Sequence, residues 1–178
     1  MNALLNLYNK PLEAISGRLE PWLLPTLARF TFVAVLFMYF WASAVRKLGD
    51  GLFDLSFGAY YQIFPVAFEA AGSNPDNLSQ LQHLIAYAGT YAEFALPVLI
   101  ALGLFTRLAA LGMIGFTIVQ SYVDIYGHMA DETAIGSWFD RIADSQIMDQ
   151  RLFWVTILML LFIKGAGPLS ADKLIGLK

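Results

Sequence analysis

Four stretches of predominantly apolar residues run along the chain, and their lengths predict membrane-spanning helices. A helix needs about 20 such residues to cross the roughly 30 Å hydrocarbon core of a bilayer. The predicted spans are residues 22–45, 84–105, 108–126 and 147–165. The fourth is the weakest, because its uninterrupted apolar part runs only from Leu152 to Ile163 and the Lys164 side chain has to reach out to the headgroups.

The connections between these stretches predict how they are arranged. The second and third are separated by Thr106 and Arg107 alone, and helices joined by so short a turn are antiparallel neighbours. We therefore expect an all-α fold, an integral membrane antiparallel four-helix bundle. Residues 22–178 would form this membrane domain, and residues 1–21 an amphipathic segment on its cytoplasmic side.

The longer segments outside the spans also carry apolar residues at helical spacing. In residues 50–80, aromatic side chains recur every three or four positions, which predicts an amphipathic helix at the membrane surface that Pro65 bends or breaks. These side chains are Phe53, Phe57, Tyr60, Tyr61, Phe64 and Phe68. The spacing returns at Ile135, Trp138, Phe139 and Ile142, and in the N-terminal segment at Tyr8, Leu12, Ile15 and Leu19. Packing on the membrane surface is the simpler interpretation of all three, and a substrate lid is the alternative.

The composition agrees with a lipid environment. Hydrophobic residues make up 58% of the chain and charged residues 14%, against about 45–50% and about 25% in soluble domains. The net charge of −3 and the lack of a basic tract argue against nucleic acid as a partner. The chain contains no cysteine, which excludes disulfides, thiolate metal sites and cysteine-ligated clusters. Any electron transfer would therefore need a borrowed cofactor or a quinone.

The distribution of Lys and Arg predicts the orientation in the membrane. Four spans place both termini on one side, and cytoplasmic loops carry an excess of these residues. The terminal side holds the modest excess, so we expect both termini in the cytoplasm. Its basic residues are Lys10, Arg18, Arg107, Lys164, Lys173 and Lys178. The opposite face is rich in acidic residues.

Two charged residues stand out deep within the predicted spans, Arg29 and Glu93. Charged side chains at bilayer depth are costly and usually functional, so each should have a partner. Their estimated depths allow them to pair with each other. Such a pair could simply fix the register of two helices, or it could bind a polar headgroup or relay protons.

A second group of polar residues gathers near the outer ends of the spans. Its members are Lys47, His83, Tyr87, Gln120, Asp124 and His128. The last three follow one another at four-residue intervals, on one face of a helix. Together the six could line a pocket at the outer interface, where a quinone ring would accept or donate hydrogen bonds while its tail stays in lipid. The two histidines could also ligate a haem or, with Asp124, a metal, but ordinary interfacial histidines are the favoured interpretation and we predict no metal site.

Three sequence segments resemble the DoxX family of small four-helix bacterial inner-membrane proteins, over about residues 27–175. They are AVRKLGDG around Lys47, AEFALPVLIALGLFTRLAALGM with Glu93 and Arg107, and GAGPLSADKLI after the fourth span. The resemblance implies that Arg29, Lys47, Glu93 and the inner turn at Arg107 are the positions of interest. It also links the chain to quinone-dependent oxidoreductase complexes, to membrane redox-stress complexes, or to operons for copper-handling, modified peptides.

Three functional hypotheses follow. The first is a quinone-interacting or accessory subunit of a membrane-bound redox complex, in which this chain need not be the catalytic subunit. The second is a non-catalytic anchor or assembly factor that docks a periplasmic protein, including copper or peptide-modification systems, through its outer loops. The third, a small transporter, is disfavoured because too few polar residues lie within the spans. A protein partner on the periplasmic side is expected, and a homo-oligomer is left open.

Overall fold

The computed structural model of the protein describes residues 2–177. Helices account for 74% of the chain, and the described part contains no β-strand, which confirms the all-α prediction. Within this part, three helices are long and apolar enough to cross a membrane: Leu7–Lys47, Gln80–Leu102 and Thr106–Gly127. The chain is therefore a multi-pass membrane protein.

The first of these helices is much longer than predicted. It consists of α1 (Asn2–Phe32), a π-helical turn (Val33–Phe37) and α2 (Met38–Lys47). Its 41 residues from Leu7 to Lys47 extend about 60 Å at 1.5 Å per residue, twice the thickness of the hydrocarbon core. The helix passes through position 21 without a break, so the predicted N-terminal segment continues directly into the span. The apolar side chains predicted there are exposed: Tyr8, Leu12, Ile15 and Leu19.

The second and third helices have nearly the predicted bounds. Helix α5 (Gln80–Leu102) begins with a capping box made by Ser79 and Gln82, which satisfies backbone amides that the first turn leaves free. Helix α6 (Thr106–Tyr122) ends in a π-helical turn (Val123–Gly127). The turn between α5 and α6 is short because Gly103 and Phe105 both adopt left-handed backbone conformations, with φ of 66° and 47°.

The helix at the position of the fourth predicted span, α8, comprises the 17 residues Met148–Lys164. It is about 25 Å long, short of the length that a perpendicular crossing requires, so its role as a fourth span stays a prediction. Leu158 and Leu161 of this helix are fully buried against α1 and α6. They join a core that also contains Phe32, Leu36, Ile100 and Met113.

The segment between α2 and α5 is helical, as predicted. It forms α3 (Phe57–Ile63) and α4 (Pro65–Ala70). The break falls at Phe64, because the proline after it cannot donate a backbone hydrogen bond. The prediction of a helix through Ile135, Trp138, Phe139 and Ile142 is wrong beyond its first turn. Helix α7 covers only Glu132–Ile135 and stops at Gly136, whose φ is 73°, so Trp138, Phe139 and Ile142 lie in irregular chain. A last turn of helix, α9, spans Ala171–Leu174.

The contacts between these elements define two ends of the molecule. At the loop end, α3 packs against α2 and α5, and the His128 ring lies against the backbone of Gln62. At the turn end, the α5–α6 turn contacts the segment that follows α8, with a backbone hydrogen bond from Asp172 to the carbonyl of Gly103. The candidate functional residues are distributed between these two ends.

Candidate functional site

A buried ion pair between Lys47 and Glu93 lies toward the loop end. The Lys47 ammonium donates to both carboxylate oxygens of Glu93, at 2.8 and 2.6 Å, and to the hydroxyl of Ser43 at 2.9 Å. Ser43 in turn donates to Glu93 at 3.3 Å. The two charged side chains are only 3% and 4% exposed. Helix geometry makes this triad possible, because Ser43 and Lys47 lie one turn apart on the same face of α2.

The predicted Arg29–Glu93 pair is not formed. The Arg29 guanidinium lies at the turn end, where it donates to the carbonyl of Ala166 at 3.1 Å and to that of Leu169. Glu93 is ten residues from Gly103 along α5, about 15 Å, and Arg29 lies beside Gly103. An arginine side chain does not cover that distance. The two intramembrane charges therefore have separate partners.

A cavity of about 340 Å³ lies between α5 and α6, next to the ion pair. Its polar lining comes from Lys47, Glu93, Gln120, Asp124 and Gln62. The remaining lining is apolar and includes three glycines. These residues are Ile63, Ile85, Ala88, Gly89, Ala92, Leu96, Gly112, Gly115, Phe116, Val119 and Val123. Of the six residues predicted to form an outer pocket, this cavity brings together Lys47, Gln120 and Asp124, and adds Glu93 to them.

The other three predicted pocket residues do not line this cavity. The ring of His83 contacts the Tyr60 hydroxyl at 2.9 Å and the carbonyl of Pro75 at 3.1 Å. The hydroxyl of Tyr87 donates to the carbonyl of Phe53, and His128 contacts the carbonyl of Gln62 at 3.0 Å. All three hold the loops against the helices. They were wrongly grouped with the pocket because spacing along a helix does not show which side chains the loops engage.

Two polar contacts connect the cavity with neighbouring helices, one with α8 and one with α2. The Asp124 carboxylate pairs with the guanidinium of Arg151, which also donates to Ser121 at 2.9 Å. The Gln120 amide donates to the hydroxyl of Tyr39 at 2.8 Å. Arg151 is only 7% exposed, and the sequence analysis did not identify it as a candidate although the predicted fourth span contains it. Its position three residues after Met148, in the first turn of an apolar helix, is the signal that could have shown its burial.

The turn end contains a second residue that the sequence analysis missed, Asp172. Its carboxylate accepts hydrogen bonds from the backbone amides of Phe105 at 2.7 Å and Thr106 at 3.0 Å. These amides begin α6, where an anion is favoured by unpaired N–H groups and the helix dipole. Arg107, predicted as part of this turn, is exposed and packs beside Gly165. The GPLSAD motif thus has a structural role, because it caps α6.

Two ionisable side chains at the loop end, Asp131 and Tyr60, have shifted pKa values. In Asp131, bonds from the Thr133 hydroxyl and the Ala134 amide lower the pKa of the carboxyl group. In Tyr60, burial raises the pKa of the phenol. Within residues 2–177, no group of three or more His, Cys, Asp or Glu residues is arranged to hold a metal ion.

The chain matches a known protein family. The model of the family described as DoxX matches residues 24–123, more than half of the chain, and this range includes Arg29, Lys47, Glu93 and most of the cavity lining. No curated protein and no solved structure matches the chain.

Proposed function

Because the chain belongs to the DoxX family, we propose that this multi-pass membrane protein binds a quinone or quinol headgroup as a subunit of a membrane-bound redox complex. The proposed site is the cavity between α5 and α6. The observation that carries the proposal is the placement of a buried, hydrogen-bonded ion pair, Lys47–Glu93, on the wall of a largely apolar cavity. Buried charges within a membrane usually mark a pathway or a ligand site.

The proposal includes a membrane arrangement. The three long helices and α8 would cross a bacterial inner membrane as an antiparallel four-helix bundle, with both termini and the turn end in the cytoplasm. The modest excess of Lys and Arg on the terminal side supports this orientation. The loop end would then face the periplasm, where the partner subunit would dock.

The residues of the cavity fit a quinol headgroup in size and chemistry. Ligand pockets commonly measure about 300–1,000 Å³ and combine apolar walls with a few polar groups, as this one does. The three N–H bonds of Lys47 are already directed to Ser43 and Glu93, so the Glu93 carboxylate is the group of the pair that would accept a hydrogen bond from a ligand in the cavity. A second acceptor is Oε1 of Gln120, which is buried and has no hydrogen-bond partner among the described residues. A quinol has two hydroxyl donors for these two acceptors.

The chain's own residues would bind the headgroup and handle its protons. Quinone and quinol interconvert by two electrons, exchanged here with a redox centre of a partner subunit, and two protons. Glu93 would accept or return the two protons one at a time at its carboxylate, exchanging each with solvent before it takes the next. Lys47 would act as a positioning residue, because its ammonium group holds that carboxylate in place. The glycines Gly89, Gly112 and Gly115 leave room for a flat ring.

A binding measurement with a cavity-filling variant tests this site. A side chain at Gly115 would extend into open space, so Gly115→Leu should fill the cavity without a clash. We expect it to weaken the binding of decylubiquinol, measured by quenching of tryptophan fluorescence in detergent, by at least tenfold. The matched control is Gly17→Leu, which also enters open space but lies outside the cavity.

Two further measurements make the test decisive. Gln120→Leu removes the unpaired acceptor and should also weaken binding, while thermal unfolding shows that each variant remains folded. Equal affinity of wild type, Gly115→Leu and Gln120→Leu would rule out a quinol site in this cavity. Purification in mild detergent should also yield bound quinone in wild type and less of it in Gly115→Leu.

A specific observation also favours the anchor function. Large apolar side chains are highly exposed at the loop end, including Leu52 at 73%, Phe53 at 79% and Phe57 at 68%. Such a patch is typical of a protein or membrane interface. If the chain is a non-catalytic anchor, Phe53→Ser with Phe57→Ser should abolish stoichiometric co-purification of a periplasmic companion. Quinol binding would then be absent from the wild type as well.

A further inference from the structure

The polar residues around the Lys47–Glu93 pair are distributed unequally between the two ends of the molecule. On the loop-end side, the cavity that the pair lines continues to Gln120, Asp124 and the exposed residue Gln62. Asp124 is 30% exposed at its side chain. A series of polar groups therefore connects the buried pair with the surface at this end.

The side toward the turn end is apolar and closely packed. From Phe94 to Leu102, α5 carries only apolar residues. Beside this stretch of α5, the neighbouring helices fill the interior with the side chains of Phe32, Leu36 and Met113, whose exposure is 2% or less. Protein interiors packed in this way leave no room for water.

Unpaired polar atoms near the cavity also indicate that water reaches the loop-end half. In the described part of the chain, four side-chain atoms are buried and have no hydrogen-bond partner. Oε1 of Gln120 and Nε of Arg151 lie near the cavity, whereas the hydroxyl oxygens of Thr26 and Thr106 lie at the turn end, beyond the apolar stretch of α5. Buried polar groups are almost always paired, with protein or with water. Since the protein offers no partner to Oε1 of Gln120 or Nε of Arg151, internal water in the cavity is the simplest source of one.

We infer that water enters the cavity from the loop end and reaches the Lys47–Glu93 pair, while the turn end is closed to it. Protons and small polar solutes therefore exchange with this pair from one side of the membrane only. The consequence for quinone chemistry rests on the proposed function: the protons of the bound headgroup would be taken up from, or released to, the loop-end side. The access path itself does not depend on any quinone.

The absence of cysteine from the chain allows a clean test with single-cysteine variants in proteoliposomes. The probe is a membrane-impermeant methanethiosulfonate reagent, which reacts with a thiol only where water reaches it. Ala92→Cys places the thiol on the cavity wall beside Glu93. Its matched control is Ala95→Cys, one turn further along the same helix, at an exposed position outside the cavity lining that would face lipid. Ser73→Cys and Lys173→Cys, exposed at the loop end and the turn end, report which side the reagent reaches.

We expect Ala92→Cys to react at least tenfold faster than Ala95→Cys, and only when the reagent is on the side that labels Ser73→Cys. Reaction from the Lys173→Cys side, equal reaction from both sides, or a rate no faster than that of Ala95→Cys would overturn the inference. Addition of decylubiquinol separates the two proposals. One-sided labelling that the quinol does not slow supports the aqueous path and contradicts the quinol site, whereas quinol binding without labelling does the opposite.

Discussion

Lys47 and Glu93 are 46 positions apart in the sequence, yet the ammonium nitrogen of one lies 2.6 Å from a carboxylate oxygen of the other. The contact joins the end of the first long helix to the middle of the second. Both charges are almost fully buried, so neither could be stable there without the other. The pair therefore fixes the relative height of α2 and α5 and places a carboxylate on the cavity wall.

This burial predicts a strong asymmetry between single and double substitutions. Lys47→Met or Glu93→Gln alone should destabilise the protein, by about 3–5 kcal/mol where a full charge stays unpaired. The double variant should recover much of the loss because it leaves no charge behind. Thermal unfolding in detergent and unfolding in sodium dodecyl sulfate would measure the difference.

A second ion pair provides the control for that experiment. Lys164 and Glu20 form a pair at the turn end that is 36% and 48% exposed. Removing an exposed pair changes stability by about 0–1 kcal/mol, so Lys164→Met should have little effect. An equal loss at both pairs would show that burial does not determine the contribution of Lys47.

The left-handed turn at Gly103 predicts an intolerance to any side chain. A Cβ atom there would lie 2.6 Å from Cβ of Ser170 and would collide with the Arg29 guanidinium. The φ of 66° is also unfavourable for alanine. We expect Gly103→Ala to lower the unfolding temperature, and Gly17→Ala, which is helical and has open space around it, to maintain or raise it. Similar effects of the two substitutions would contradict this account.

The cap provided by Asp172 predicts a further loss of stability. Asp172→Ala removes two hydrogen bonds to the start of α6, and loss of such a cap typically costs about 0.5–2 kcal/mol. The neighbouring exposed residue offers a control, because Lys173→Ala leaves the cap intact. Hydrogen exchange of the Phe105 and Thr106 amides should accelerate in Asp172→Ala alone. Unchanged exchange at these amides would refute the capping role.

The hydrogen bonds of Asp131 predict a local dependence on pH at the loop end. They lower the pKa of its carboxyl group, so the folded pKa lies below the unfolded one. The stabilisation of α7 is then complete above the unfolded pKa and is lost as the pH falls through the folded pKa. The protection of the Ala134 amide against hydrogen exchange, relative to the intrinsic rate at each pH, should therefore decrease in acid. In Asp131→Asn, which cannot ionise, this decrease should disappear.

The structure explains why some site predictions failed although the residues were well chosen. The sequence identified Glu93 as a charge that needs a partner, but paired it with Arg29 by estimated depth. An estimate of depth along one helix does not take into account how far neighbouring helices are shifted along their axes. Nor does it show that the Arg29 side chain extends toward the segment between α8 and α9. Likewise, the four-residue spacing of Gln120, Asp124 and His128 placed them on one face of a helix, but only the first two lie on the cavity wall.

The sequence by itself determined the all-helical fold, the bounds of the second and third long helices to within a few residues and the break at Pro65. These features depend on local hydropathy, helix length and proline geometry, which neighbouring residues define. The tertiary structure decided the partner of Glu93, the burial of Arg151, the capping role of Asp172 and the existence of the cavity. Each of these depends on the rotation and relative height of helices that are distant in the sequence, and only the packed chain fixes those.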